Sequence, residues 1–580
     1  MSALGTRPSR HWVIREPDPK QVTTLTSELG LPNIIAGLLV NRDVVDPMEA
    51  RAYLNPRLGD LVDPAGLRGM AKAVERILSA IEQNERITIY GDYDVDGMTS
   101  SSILARFFRA CGWPTHVFLP DRFKDGYGIN ADRIRELIDA GTTLFITVDC
   151  GITATEAIAE AKELGADFII VDHHQPREDG LPPAAAIINP HQPSCTFPFK
   201  DLCAAGLAFH LVMGLRGELR KRGTYQGLDE PDIRKLLDIV AIGTIADVVP
   251  LKGLNRILVT AGLKRMARSE HAGVRALVAV SAGSRRLNAG VVGFQMGPRL
   301  NAAGRLSHPY KGYELLSTDD TRLAQEIAAD VDNENQKRRT VQSEIEEQAI
   351  EQALSLSEDV APAYVLWSND WHPGVAGIVA ARIVQRFHRP CAVIAVKDGI
   401  GKGSIRSIRG FNAVAGLRQC ADSLEQFGGH PHAAGVTVQE DQLPHFRRAF
   451  AQAAEALTKP DDLIPRLTLD SELSFQDLAG ELLDQIENLA PFGAGNREPL
   501  FCTRGVDVLE TRRVGKDRSH LRMKLQHSGQ RLDAIAFGCG EHAPPVGDRI
   551  DVAYRPEYNE WKGRVSLQLR VLDFRSPVTD

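Results

Sequence analysis

The run Gly91-Asp92-Tyr93-Asp94-Val95-Asp96-Gly97 sets three carboxylates on alternate positions directly after the apolar stretch Ile87-Thr88-Ile89-Tyr90. In an extended chain alternate side chains share a face, so Asp92, Asp94 and Asp96 are expected to converge. Carboxylates held within a few Å of one another resist ionising together unless a cation sits between them. Hard oxygen ligands suit magnesium or manganese. Three further positions carry the same kind of chemistry: Val148-Asp149-Cys150-Gly151, Ile169-Ile170-Val171-Asp172-His173-His174 and Ala246-Asp247-Val248-Val249-Pro250. Taken singly, an aspartate at a strand end is commonly just a helix cap. Four successive strand ends or turns, each delivering carboxylate or imidazole to one rim, point instead to a metal centre.

The elements that must position these residues are legible from periodicity. Helices are predicted over Lys72–Gln83, Thr99–Cys111, Ala131–Ala140 and Thr153–Leu164, alternating with strands at Ile87–Tyr90, His116–Leu119, Thr143–Val148 and Phe168–Val171. Such alternation implies a parallel sheet with helices on both faces, in which ligands gather beyond the carboxyl ends of the strands. The stretch Thr318–Ala361 holds neither Gly nor Pro and opens with Ser317, Thr318, Asp319 and Asp320, an N-terminal helix signal. One helix of some 38 residues is expected there, about 57 Å long, bridge length between two units. A second α/β unit follows to about Thr458, and from about 465 short alternating strands suggest a small barrel.

At 580 residues, 43% hydrophobic and 25% charged, the chain should form three or four domains with real cores. Its polar first 55 residues, with prolines at 8, 17, 19, 32 and 47, read as a short helical appendage without recognisable chemistry. There is neither an apolar run of membrane length nor a signal-peptide pattern, so a cytoplasmic protein with no membrane partner is expected. Eight cysteines without a C-x-x-C pair indicate reduced thiols rather than disulfides or structural zinc. The net charge of −7 does not suggest a nucleic-acid binder, but local patches can differ. Between Thr511 and Lys524 there are six Lys or Arg against a single Asp, and in His520-Leu521-Arg522-Met523-Lys524-Leu525 one face is apolar and the other basic, as again in Arg564–Arg570.

Phosphate-gripping candidates lie in the second half. Gly403-Ser404-Ile405-Arg406-Ser407 offers N–H groups, a hydroxyl at Ser404 and the guanidinium of Arg406, a set that suits a terminal phosphate. The run Gly428-Gly429-His430-Pro431-His432-Ala433-Ala434-Gly435 permits close backbone approach beside His430 and His432. Arg299 and Arg305 are further candidates for holding a strand. The barrel's aromatics, Tyr554, Tyr558 and Trp561, could stack on bases, although core packing accounts for most aromatics in a small barrel.

The ordered set Asp92-Tyr93-Asp94-Val95-Asp96-Gly97, Asp149, Asp172-His173-His174 and Asp247 resembles the four motifs of the DHH phosphoesterase superfamily. Gly297–Arg305, Trp371–Ile378, Gly403–Ser407, Gly428–Gly435 and Pro491-Phe492-Gly493-Ala494-Gly495-Asn496 are similar to signatures of its branch of single-strand-specific 5′ to 3′ exonucleases, and the likeness runs from about residue 50 to the C-terminus. The resemblance implies an α/β architecture: an N-terminal appendage (1–55), a parallel-sheet DHH domain (56–315), a long connecting helix (316–360), a DHH-associated α/β domain (361–460) and an OB-like β-barrel (461–580).

It also implies two Mn²⁺ or Mg²⁺ ions, with Asp149 bridging and Asp94, Asp96, His173 and Asp247 shared between them. His174 would lie close behind or contact the phosphate, and Asp172 would fix the histidine pair. Asp149, His174 and Asp96 would then carry the catalysis. The small pyrophosphatase-like members have a histidine where this chain has Tyr90, so Asp92 either ligates in its place or orients its neighbours. The implied activity is degradation of single-stranded DNA from the 5′ end to 5′-mononucleotides, in repair and recombination. A single-strand-binding protein and a RecQ-type helicase are the partners the likeness suggests. Two other readings stay open: a phosphodiesterase for short oligonucleotides or cyclic dinucleotides, and a nonenzymatic DNA-binding scaffold.

Overall fold

The computed structural model describes residues 10–577 except 122, 123, 127, 227, 228, 284, 307, 308, 357–360, 479, 562 and 563, and describes only the backbone of 303, 305, 306, 561 and 564. The chain forms two compact units, one built on Asp332–Leu467 and the other on Ile14–Gly304, His308–Val331 and Thr468–Asp580.

In the larger unit, five parallel strands lie in the order His116–Phe118, Arg86–Gly91, Thr142–Val148, Asp167–Val171, Ala186–Ile188. Their Val and Ile side chains are buried on both faces, the signature of a sheet covered by helices. The chain runs from Arg86–Gly91 outward to His116–Phe118 and then back across to Thr142–Val148. The order therefore reverses between Arg86–Gly91 and Thr142–Val148, the position at which open α/β sheets place ligands beyond their carboxyl ends.

The same unit ends in a closed barrel. Strand Phe501–Val514 pairs antiparallel with both His520–His527 and Arg549–Trp561, and the circuit is completed through Gln530–Ala536 and Arg564–Arg575. Leu521, Met523 and Leu525 are buried while Arg522 and Lys524 face outward, as the alternation requires. Two of these outward cations are matched by cross-strand acids, Lys524 to Glu510 at 3.0 Å and Arg522 to Asp533 at 3.4 Å. In Arg564–Arg575 the expected alternation holds less well: Leu569 is buried, but Val565 is 64% exposed. Tyr554 belongs to the core, its hydroxyl 2.8 Å from Thr503 Oγ1, and Tyr558 donates to Asp484 at 2.9 Å, while the side chain of Trp561 lies outside the described residues.

Residues 14–54 are no loose appendage. Leu25, Ile35, Leu38, Leu39, Val44 and Tyr53 share one apolar cluster with Leu473, Phe475, Phe501 and Tyr554 of the barrel region. Their amphipathic helices bury surface that the sequence alone left without a partner.

The smaller unit is a mixed sheet ordered Gln426–His430, Ala433–Gln439, Ile400–Arg406, Cys391–Lys397, Tyr364–Ser368, with only the last pair parallel. The long helix is present as Thr321–Ser355, 35 residues and about 52 Å. Its C-terminal half packs Ile345, Ala349 and Ala353 against Val375, Val379 and Ile383. Among the described residues none of the eight cysteines forms a disulfide. Among the described residues no helix is long and apolar enough to cross a membrane.

Candidate metal centre

Asp92 follows strand Arg86–Gly91 and extends its pairing, its N–H donating to Val148 O at 3.2 Å. Asp94 then caps the helix Val95–Ala110, its Oδ1 accepting from the N–H groups of Asp96 (2.8 Å) and Gly97 (3.1 Å). Asp96 therefore lies on the first helical turn. Strand alternation, expected from the sequence to align all three carboxylates, stops at Asp94 because the cap ends the extended backbone. Asp96 reaches the cluster by another route: its Oδ2 and Oδ1 accept from Ala204 N–H (2.7 Å) and Ala205 N–H (2.8 Å), at the start of the helix Ala204–Lys221. Free N–H groups at a helix start favour a carboxylate.

Asp149 follows strand Thr142–Val148 with φ +64°, a left-handed conformation that aspartate tolerates better than most residues, and donates its N–H to Val171 O at 3.0 Å. Asp172, at the end of Asp167–Val171, accepts from Ile152 N–H (3.0 Å), His174 N–H (3.1 Å) and the His174 ring at Nδ1 (2.7 Å). Asp247 comes from the turn that closes a helix, at the C-cap of Leu237–Ala246, rather than from a strand end. That helix lies close to Asp96 because residue 243 is glycine: a Cβ there would stand 2.3 Å from Thr99 Oγ1 and 3.0 Å from Asp96 Oδ1.

These elements bring the donors together. His173 Nε2 is 3.2 Å from Asp149 Oδ1, 3.6 Å from Asp247 Oδ2 and 3.9 Å from Asp96 Oδ2. Three groups have donor atoms within 4.8 Å of one another: Asp92, Asp94 and Asp149; Asp96, His173 and Asp247; and Asp149, His173 and His174. Asp149 and His173 are each shared between two of them. Four buried atoms, Asp92 Oδ1, Asp149 Oδ1, His173 Nε2 and Asp247 Oδ2, have no hydrogen-bond partner. These four face one another within the donor groups, and divalent cations held there would satisfy them.

The electrostatics agree. Burial, reinforced by the charge of Asp94, pushes both Asp92 and Asp96 up to about 7. Burial together with Asp96 and Asp94 pushes Asp247 up to about 9, and burial with the surrounding carboxylates drives Asp149 well above the usual range. Burial, then the neighbouring His174, lowers His173 to about 4, so its imidazole is neutral and able to ligate. For Asp172 burial opposes the charged form, but hydrogen bonds from His174 and Ile152 outweigh it and hold its carboxyl low. His174 feels the converse: burial would lower it, and Asp172 outweighs burial and raises it.

The other candidates lie elsewhere. Tyr90 does not join the donors: its hydroxyl donates to Gly128 O (3.2 Å) and accepts from Asn130 N–H (3.3 Å). Arg299 is buried on the helix Gly297–Leu306, one guanidinium N–H donating to Gln295 O at 2.8 Å. The side chain of Arg305 lies outside the described residues. In the smaller unit Ser404 and Arg406 occupy strand Ile400–Arg406, and Arg406 Nη1 donates to Ser404 Oγ at 2.8 Å. The neighbouring strand pair exposes His430, and His432 is exposed in the turn beside it. Sequence reasoning missed the amides of Ala204 and Ala205. The small-residue run Cys203-Ala204-Ala205-Gly206 was their only trace.

Comparison with known proteins gives three consecutive family matches: the DHH family N-terminal domain over 86–244, the DHHA1 domain over 358–456 and the RecJ OB domain over 469–573. The chain is 39% identical over 567 residues to the single-stranded-DNA-specific exonuclease RecJ of Bacillus subtilis, a match spanning 97% of this chain and 70% of that protein. With the Escherichia coli protein of the same name it is 35% identical over 575 residues, 96% of this chain and 98% of that one. The crystal structure of RecJ from Thermus thermophilus in complex with Mn²⁺ matches with a TM-score of 0.83 at 32% identity, covering 98% of this chain and 80% of that one. The complex of the same protein with Mg²⁺ gives 0.78 at 30%, covering 98% and 79%.

Proposed function

The chain belongs to the RecJ family of DHH phosphoesterases, and on that premise we propose that it is a metal-dependent exonuclease degrading single-stranded DNA from the 5′ end to 5′-mononucleotides. The observation that carries this reading is the convergence of four buried donor atoms without hydrogen bonds, on Asp92, Asp149, His173 and Asp247, beyond the carboxyl ends of the strands. A nonenzymatic scaffold gives no account of carboxylates packed this closely with no cation between them.

When bound, a pair of divalent ions would polarise a phosphodiester and supply a nucleophile at neutral pH. Asp92, Asp94 and Asp149 would hold one ion, Asp96, His173 and Asp247 the other, with Asp149 shared. Mn²⁺ suits this mixed imidazole and carboxylate set somewhat better than Mg²⁺. His174, raised and oriented by Asp172, would donate to a phosphate oxygen when protonated. Ser404 and Arg406 are assigned to the terminal phosphate, with His430 and His432 beside them. Arg299 and Arg305 are assigned to the strand. Burial of Arg299 and its bond to Gln295 O favour a contribution through the helix that carries it rather than a freely reaching guanidinium.

The domain limits we propose are 1–55 for the N-terminal appendage, 56–315 for the catalytic domain, 316–360 for the connecting helix, 361–460 for the DHH-associated domain and 461–580 for the OB-like barrel, whose core residues 14–54 share. The same reading puts the enzyme in the cytoplasm, in DNA repair and recombination, alongside a single-strand-binding protein and a RecQ-type helicase. The deciding experiment incubates the protein with 5′-labelled single strand, duplex and cyclic dinucleotide, with and without Mn²⁺. Mononucleotides from the single strand only, and only with metal, are expected. Cleavage confined to the cyclic dinucleotide, or no cleavage of any substrate, would overturn the assignment.

A further inference from the structure

The turn that follows Asp247 is strained and externally held. Val248 has φ +64°, a conformation that a β-branched side chain adopts at a cost, and the chain re-enters a helix at Gly253–Met266. The loop Leu489–Arg497 grips this turn. Leu251 N–H donates to Ala494 O at 2.8 Å. A Cβ on Gly493 would stand 2.7 Å from Leu251 Cδ1, and one on Gly495, at φ +68°, would stand 2.8 Å from Pro250 Cβ, so the approach depends on both glycines.

The loop is itself fixed by one fully buried amide. Asn496 Nδ2 donates to Leu489 O and Pro491 O, both at 2.8 Å, and its Oδ1 accepts from Arg42 Nε at 2.9 Å. Arg42 also donates to Arg497 O (2.6 Å), and Lys252 Nζ at the far end of the turn donates to Arg42 O (2.9 Å). On the following helix Arg256, buried and stacked 3.9 Å above the Tyr53 ring, donates to Tyr53 O (2.7 Å), Leu489 O (2.9 Å) and Asn488 O (3.2 Å). The turn bearing Asp247 is thus clamped between Asn496 and Arg256.

We propose that Asn496 is a positioning residue for the metal centre: through the Ala494–Leu251 contact it fixes the turn that presents Asp247, and so sets the affinity of the Asp96, His173 and Asp247 group for a divalent cation. This rests on the reading of Asp247 as a ligand. The motif Pro491–Asn496 then links the base of the barrel to the chemistry rather than serving only as domain packing.

The test measures Mn²⁺ binding to the metal-free full chain by calorimetry, with thermal melting in EDTA as the folding control. Asn496→Ala is expected to weaken Mn²⁺ binding about 10- to 100-fold, as loss of support behind a ligand does, and to have no further effect in an Asp247→Ala background. Gly493→Ala, which crowds Leu251 while leaving the side-chain partners of Asn496 unsubstituted, should show the same non-additive pattern and serves if Asn496→Ala does not fold. Unchanged Mn²⁺ binding, or an equal loss with and without Asp247, would overturn the proposal. If Asp247→Ala itself leaves Mn²⁺ binding intact, the ligand reading fails and the proposal with it, a result distinguishable from failure of the coupling alone.

Discussion

Asp172 Oδ1 lies 2.7 Å from His174 Nδ1 and 3.1 Å from the backbone nitrogen of the same residue, so one carboxylate fixes both the ring and the main chain of His174. The pair raises the histidine and lowers the acid, despite burial that works against both charges. Asp172→Asn removes the charge while keeping the size. His174 should then titrate at lower pH, followed by NMR of its ring nitrogens in metal-free protein, and turnover should fall by about 10- to 100-fold. An unshifted titration would show that Asp172 does not govern the histidine.

Asp149 is shared by two of the donor groups and its Oδ1 is buried without a hydrogen-bond partner. Asp149→Ala should depress cleavage by more than the roughly 100-fold that loss of a ligand's supporting partner costs. Affinity for a labelled single strand in EDTA should stay nearly unchanged, checked by fluorescence anisotropy. Equal loss of both would indicate a structural role.

Asp92 and Asp96 at about 7 and Asp247 at about 9 hold protons in the metal-free protein that a cation must displace. Mn²⁺ affinity should therefore rise from pH 6 to pH 8, with protons released, seen as a dependence of the calorimetric enthalpy on buffer ionisation heat. The linkage to stability has a definite sign. These carboxyls are raised above their unfolded values, so their contribution is complete below the ordinary carboxylate range and is lost as pH rises towards 7 and then 9. The melting temperature in EDTA should decline over that window, and saturating Mn²⁺ should flatten the decline. A metal-free melting temperature independent of pH would contradict the clustering of these charges.

Arg406 is held on its strand by Ser404 Oγ at 2.8 Å, with the Ile405 carbonyl at 2.9 Å. Arg406→Ala should reduce the preference for a 5′-phosphorylated over a 5′-hydroxyl single strand by roughly 10-fold or more, the scale of a lost charge-assisted hydrogen bond. A preference ratio equal to that of the unsubstituted protein, in competition assays with the two strands, would remove Arg406 from phosphate recognition.

The types of the metal-centre residues and most of their local settings were legible from residue order alone. Apolar runs ending in Asp92, Asp149 and Asp172 announced parallel strands with acids at their carboxyl ends, because burial on both faces demands an apolar run and a ligand needs the open end of the sheet. The Gly- and Pro-free stretch announced the long helix, and the alternation in His520–Leu525 announced a barrel strand. Only the tertiary structure decided that Asp96 turns onto a helix and is held by the amides of Ala204 and Ala205, that Asp247 arrives from a helix end, and that residues 14–54 share the barrel's core. The same holds for the grip of Ala494 on Leu251. For the amides of Ala204 and Ala205 and for the grip of Ala494 the physical reason is the same. Backbone N–H and carbonyl groups are the same at every residue, and a glycine needed for close approach is indistinguishable in sequence from one needed for a turn, so contacts made by main chain between distant segments leave no local pattern to read.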